Sequence, residues 1–325
     1  MSNLEKDPAE LLCESPGTAT ARVEILEPRD VPLGGPRAMG VRRTLPQRKR
    51  SLIGAWCFVD HYGPDVVAEQ SGMVVPPHPH TGLQTVSWLF AGEIDHRDSV
   101  GSHALVRPGE LNLMTAGNGI AHSEVSTRST TVLHGAQLWV ALPDASRHHE
   151  PFFEHYVPAP VVFGVAEIRV FIGSMVGQVS TASVFSELVG AQIDLPTGAS
   201  VDLPVDPRFE HGVLLDAGSL SVHGEEVPLS HLAYLEPGLD TLRLEAGDAA
   251  VRALLIGGVP LGESIVMWWN FIGRSHEEIL QFRAEWQADV IDGGRADGRF
   301  GSVIDYDGSA LPAPELPNVR LKPRE

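Results

Sequence analysis

Two short strings in this 325-residue chain have the residue types and the spacing to hold a metal ion: His78-Pro79-His80 and His122-Ser123-Glu124. Side chains on a strand alternate between its two faces, so a His-x-His pair in an extended segment points both imidazoles the same way. His122 and Glu124 do the same on a second strand. Brought together, the pairs offer three neutral nitrogens and one carboxylate around a divalent ion, with positions left open. That donor set suits Fe(II), Mn(II), Ni(II), Cu(II) or Zn(II) better than calcium or a thiolate-bound metal. Fourteen histidines will produce such a pair by chance, but these sit in a wider pattern. Gly72 precedes the first pair, Gln84 and Gly92 follow it, and the turn signal Pro108-Gly109 precedes the second.

The elements that must position these residues read as strands. Residues 85–90 are β-branched and aromatic and end at Ala91-Gly92-Glu93; further strands are predicted at 104–106, 111–115 and 131–140. The same texture returns at 168–172, 183–185, 191–195, 212–215, 220–222, 233–235 and 251–256. Thirty-three glycines and 25 prolines punctuate these runs, which predicts an all-β protein of two jelly-roll barrels in tandem. The expected divisions are a flexible leader over 1–20, a metal-binding domain over 21–145, a second domain without metal over 146–265, and a helix with an extended tail over 266–325.

In the second domain His211, His223 and His231 are scattered singly and are expected to be surface or hydrogen-bonded core groups. His148 and His149 fall in a polar stretch after Pro143-Asp144, read as a solvated linker. The one helix is marked by the capping box Ser275-His276-Glu277-Glu278, by Ile279, Phe282, Trp286 and Val290, and by Asp292-Gly293-Gly294 at its end. From Leu311 the tail, with Pro312, Pro314, Pro317 and Pro323, should be extended or partly disordered.

Composition narrows the function. A net charge of −18 speaks against direct nucleic-acid binding, because phosphate contacts need a positive surface. One basic run stands against it: Arg37, Arg42, Arg43, Arg48, Lys49 and Arg50, read as a solvated face or as a docking patch for an acidic protein partner or anionic substrate. Cys13 and Cys57 form no disulfide framework, and no apolar run is long enough to cross a membrane. Residues 1–20 have no signal-peptide pattern, so the expected location is the cytoplasm.

The strings PPHPHTGLQTVSWLFAGE and PGELNLMTAGNGIAHSE resemble the two cupin motifs, and in detail they are similar to the pirin family, a bicupin group. LPQRKRSLIGAWCFVDHYGPD (Leu45 to Asp65) and WWNFIGRSHEEI (Trp268 to Ile279) carry the likeness over most of 21–300. The resemblance implies two cupin-like barrels, with one divalent metal held in the first by His78, His80, His122 and Glu124. Fe(2+) is the favoured ion, with Mn, Ni, Cu and Zn behind it. It further implies a quercetin 2,3-dioxygenase-like oxidoreductase that cleaves a flavonol or other enolic aromatic with dioxygen, Glu124 acting as base. The alternative is a non-enzymatic, iron-containing, redox-sensing protein that regulates a protein partner. Where many relatives carry Arg and Glu, this chain has Thr81 and Gln84. Gln84 stands where many cupins place a ligating glutamate, which leaves Glu124 as the fourth ligand and is expected to remove an acid or base from the metal's surroundings.

Overall fold

The computed structural model describes residues 23–32, 39–67 and 72–323. The expected leader, Cys13 and Arg37 lie outside the described residues. The β-branched runs form strands that assemble into two sandwiches. In the first, a seven-stranded sheet runs in the order Phe152–Tyr156, Leu111–Thr115, Leu83–Ala91, Val132–Ala141, Trp56–Val66, Gly40–Leu45, Arg29–Pro32. It faces a four-stranded sheet of Val74–His80, Ile120–Ser126, Ile94–Asp98 and His103–Val106. The second sandwich pairs an eight-stranded with a four-stranded sheet. The tandem all-β architecture expected from sequence is therefore the one observed.

Strands cross the boundary expected at residue 145 in both directions. Glu24–Leu26 pairs with Leu232–Leu235 in the second sandwich, while Phe152–Tyr156 pairs with Leu111–Thr115 in the first. The two sandwiches also share an apolar seam. Trp56, Val86, Trp88 and Leu138 pack there with Phe171, Leu214, Leu254 and Ile256. Trp88 Nε1 donates across it to Gln192 Oε1 at 2.9 Å. Gly54 fits the seam because it has no side chain: its φ is +55°, and a Cβ would stand 2.7 Å from the Gly258 Cα.

Alternation decides what each strand gives to the seam and what it gives to the first barrel's interior. On Leu83–Ala91, Val86, Trp88 and Phe90 face the seam. Leu83 and Leu89 on the other face join two separate interior clusters. Ser87 lies between those two. On Val132–Ala141, Leu133 and Trp139 likewise belong to those two clusters, with Gln137 between them. The barrel interior is thus apolar at both ends and polar at its waist, where Ser87 Oγ donates to Gln137 Oε1 at 2.8 Å.

One predicted strand is absent. Residues 183–185 form a loop, because the Ser183 backbone is engaged by side chains instead of a neighbouring strand. Its N–H donates to Glu154 at 3.1 Å and its carbonyl accepts from Gln84 at 3.1 Å. The helix His276–Trp286 forms as predicted, with Ser275 accepting from the Glu278 N–H at 3.2 Å, and a π-helical turn Gln287–Ile291 extends it. The tail beyond Leu311 has no regular structure but is docked. Leu311 N donates to Pro77 O at 2.8 Å, and Leu311 O accepts from Trp286 Nε1 at 2.8 Å. Among the described residues, no helix is long and apolar enough to cross a membrane.

Candidate metal centre

The four-stranded sheet of the first barrel sets the site by register. His122 lies opposite His78 on one neighbouring strand and opposite Asp98 on the other; Glu124 lies opposite His96. Residues paired across antiparallel strands share a face, so one row carries His78, His122 and Asp98 and the next carries Glu124 and His96. The pairing slips between His122 and Glu124, where Val75 rather than Pro76 meets Glu124. Pro76 and Pro77 occupy this bulge, which suits residues that donate nothing to a ladder.

The arrangement brings His78, His80 and His122 together, all fully buried, with ligand atoms within 4.8 Å of one another. His78 Nδ1 donates to Pro76 O at 2.8 Å, while its Nε2 is buried with no protein partner. The first bond fixes the tautomer and leaves a bare lone pair on Nε2. His80 Nε2 and His122 Nε2 are 3.1 Å apart. Two nitrogens bound to one ion at ~2.1 Å and at right angles would lie roughly 3.0 Å apart. Burial pushes the His78 imidazole down to about 3 and holds His80 and His122 well below the usual histidine range. Protons therefore do not compete for these lone pairs near neutrality. An orphaned buried nitrogen, a pair at ligand spacing and three neutral imidazoles all fit a divalent ion.

Glu124 is fully buried on the same sheet face and accepts from Ser87 Oγ at 3.4 Å. Its carboxylate groups with His122 and His96, again within 4.8 Å. His122 belongs to both groups and so links Glu124 to the three histidines. Tyr62 is fully buried within electrostatic reach of Glu124; burial, then the Glu124 and Asp60 charges, raise its hydroxyl well above the usual range, so it stays a neutral phenol.

His96 and Asp98 were not among the residues singled out from sequence. His122 Nδ1 is 3.3 Å from His96 Nδ1, and His96 Nε2 is 3.3 Å from Asp98 Oδ2. A consistent proton assignment runs from His122 N–H to His96 and from His96 N–H to Asp98, leaving His122 Nε2 bare. Asp98 is itself held by the Val100 and Ser102 N–H groups at 3.1 and 2.9 Å. Phe153 stacks on His96 at 4.8 Å, and Trp139 meets His80 edge-on at 5.1 Å. The signal was present as His96-x-Asp98, the same alternation as His78-x-His80 and His122-x-Glu124, but on a third strand that sequence reading did not register.

Gln84 overturns its expectation. It shares the strand face of Val86 and Trp88, which looks into the seam, whereas Ser87 on the opposite face touches Glu124. Its amide donates to Thr115 Oγ1 at 2.9 Å and to Ser183 O at 3.1 Å. The amide therefore ties the two sandwiches together and takes no acid or base from the metal's side. Thr81 is also structural: its hydroxyl donates to Ile272 O at 3.3 Å, joining the first barrel to the C-terminal segment. Among the apolar residues near the motifs, Leu83, Met114 and Ile120 line the barrel interior, while Val86, Trp88 and Leu113 face the seam.

A second buried cluster, His61, His134 and Asp216, lies at the seam. Both histidine Nε2 atoms are 2.6 Å from Asp216 Oδ1, and Arg252 Nε is 2.5 Å from Oδ2. Arg42 lies 3.4 Å from His61 Nδ1. With its carboxylate already hydrogen-bonded to His61 and Arg252, in close contact with His134, and with two guanidiniums beside it, this cluster is an inter-barrel tie. The basic run is likewise divided. Arg43 is buried against Asp60 at 2.6 Å, and Arg50 pairs with Glu24 at 3.0 Å, which leaves Arg48 and Lys49 exposed.

Two jelly-roll sandwiches in tandem, with a histidine-rich inner sheet face in the first alone among the described residues, define a bicupin. Family comparison is more specific. Residues 38–140 match the Pirin family model and residues 190–292 match that of the Pirin C-terminal cupin domain. The chain belongs to the pirin family. It is 41% identical over 291 residues to a Pseudomonas aeruginosa protein provisionally named quercetin 2,3-dioxygenase, covering 89% of each. A pirin-like protein of Caulobacter vibrioides is 37% identical over 287 residues, covering 85% of this chain and 94% of that one. The crystal structure of a quercetin 2,3-dioxygenase from Acinetobacter baumannii superposes with a TM-score of 0.85 at 37% identity, covering 92% and 97%.

Proposed function

We propose that this chain is a metal-dependent dioxygenase that cleaves the ring of quercetin or another flavonol or enolic aromatic. The observation that carries the reading is the His78 Nε2, buried and without a protein partner, beside the 3.1 Å pair of His80 and His122 nitrogens. His78, His80, His122 and Glu124 hold the ion, with Fe(2+) favoured and Mn, Ni, Cu and Zn accepted by the same donors. When bound, the ion would supply Lewis acidity that lowers the pKa of a chelating hydroxyl.

The protein's own groups do the rest. Glu124 Oε1 or Oε2 accepts the proton of the substrate's enolic hydroxyl as a general base. The Ser87 hydroxyl, whose one proton is shared between Gln137 Oε1 at 2.8 Å and Glu124 Oε1 at 3.4 Å, lies beside that carboxylate. Asp98 and His96 fix the ring of His122. The apolar walls from Leu83, Met114, Ile120 and Trp139 exclude water from the reacting ring. The names of the Pseudomonas aeruginosa relative and of the Acinetobacter baumannii structure support this reading.

The second reading is a redox-sensing regulator that docks a protein through the basic run. Inward packing of Arg43 and Arg50 leaves Arg48 and Lys49 as the exposed members of that run among the described residues, a small patch for a partner, so the enzymatic reading is preferred. The test is to add quercetin anaerobically to metal-loaded protein and then admit oxygen. Oxygen uptake with carbon monoxide release supports the dioxygenase; a spectral shift with no turnover supports the regulator.

A further inference from the structure

The second barrel has a cavity of its own, far in sequence from the ion's ligands and independent of the function proposed above. It is a cleft of about 410 Å³, open to solvent at Val179 and Val184 and lined deeper by Met175, Val189, Phe209 and Leu255, and His211 lies in its wall. Sequence reading expected His211 to be a surface or hydrogen-bonded group. Instead it is 1% exposed, and neither ring nitrogen has a hydrogen-bond partner. The other buried polar side chain in the wall, Ser180, is satisfied by the Phe171 carbonyl at 2.8 Å.

A buried polar group without a partner is rare in native proteins and calls for an occupant or a role. The fold makes room for this one. His211 shares the inward face of its strand with Val213 and Leu215, which belong to the barrel core. Gly257 lies directly opposite on the neighbouring strand, and a Cβ there would stand 3.0 Å from His211 Cδ2. A glycine at that place lets the imidazole sit where a larger neighbour would exclude it.

The chemistry of the wall selects among ligands. His211 belongs to no group of three or more histidine, cysteine or carboxylate ligands among the described residues, which leaves too few fixed donors to hold an ion. At the rim, Arg208 donates to Glu187 at 2.6 Å and to Asp206 at 2.6 Å. Two carboxylates with one guanidinium leave a negative rim, with the cation's donors already engaged, which disfavours an anion. A neutral imidazole offers one donor and one acceptor, the complement of a single hydroxyl. Phe209 and the Met175 thioether suit an aromatic ring.

We propose that the second barrel binds a small, neutral phenolic molecule, its ring between Phe209 and Met175 and its hydroxyl hydrogen-bonded to His211. The test uses the metal-loaded full chain, titrated with 2-naphthol and with naphthalene, which lacks only the hydroxyl. 2-Naphthol should bind at least tenfold more tightly, and its addition should shift the His211 ring ¹⁵N resonances. In His211→Leu the discrimination should fall to about twofold or less, with metal content unchanged. In His122→Ala, where the first barrel loses its ion, 2-naphthol binding and the His211 shift should persist. Equal affinity for the two probes in the wild type, or no change at the His211 nitrogens, overturns the proposal. So does 2-naphthol binding that disappears in His122→Ala, which would place the phenol at the ion. The wild-type comparison stands even if a variant fails to fold.

Discussion

His78 shows how one side chain divides its work, with Nδ1 bonded to its own strand at Pro76 and Nε2 left bare in the barrel. The same logic applies to His122, whose Nδ1 is turned to His96. Replacing His78, His80 or His122 by Ala should each reduce bound metal, measured by elemental analysis, from one per chain to below about a tenth, because too few fixed donors remain. His96→Leu keeps every ligand but loses the orienting bond, so metal affinity should fall by about 10–100-fold. A metal competition assay checks this, and unchanged affinity would show that His96 does not orient His122. Glu124→Gln should retain more metal than the histidine variants yet lower turnover by about 10²–10⁴-fold, the usual range for losing a general base. The His-x-His and His-x-Glu pairs were legible in the sequence because strand alternation makes spacing equivalent to facing. His96 and Asp98 were not, since their role appears only when a third strand is registered against His122.

At the scale of elements, parity is what the sequence could not supply at Gln84. A motif position says that a residue is near the metal strand, but the pleat decides which side it serves, and Gln84 serves the seam. Gln84→Ala should therefore leave metal content at one per chain while costing about 1–3 kcal/mol in urea unfolding, from the groups of Thr115 and Ser183 left unpaired. Loss of metal equal to that of His78→Ala would return Gln84 to the site. The absent strand at 183–185 has the same origin: its apolar and β-branched composition was legible, but the side chains that capture its backbone come from distant strands. The capped helix, by contrast, was legible almost to its ends because its signals are local. His211 makes an element-scale prediction about pH. Its ordinary value is ~6.5, and burial in the second barrel pushes it down to about 4. Below pH 6.5 the unfolded chain takes up a proton that the native chain refuses. The stability associated with neutral His211 is thus full above pH 6.5 and is lost as pH falls toward 4, by about 3 kcal/mol over the window. Urea unfolding of His211→Leu should show a slope shallower by about one proton between pH 6.5 and 4, whereas an unaltered slope would mean that His211 is already protonated in the native state.

For the whole molecule, the seam matters as much as either barrel. Each sandwich takes a strand from the other's stretch of chain, and the C-terminal tail returns to Pro77, next to His78. The tandem fold was visible in the repeated strand texture, but this interlacing was not, because a strand's sequence does not name its partner. At the centre of the seam, burial works to raise the Asp216 carboxyl, but the bonds from His134 and His61 outweigh it and hold Asp216 below the usual range. Asp216→Asn should cost about 3–5 kcal/mol, the effect of breaking a buried ion pair, read as a fall in the unfolding midpoint. A change within 0.5 kcal/mol, roughly that of a surface substitution, would show that the tie does not hold the barrels together.

The central claim is that one ion sits among His78, His80 and His122 in the first barrel and is open to substrate. Electron paramagnetic resonance of the Cu(II)-loaded chain, before and after anaerobic quercetin, tests it directly. The account predicts a single copper per chain with nitrogen splitting from the imidazoles, a spectrum that changes when quercetin is added, and loss of that signal in His122→Ala. A copper signal without nitrogen splitting, one that survives in His122→Ala, or one that quercetin leaves unchanged would contradict it.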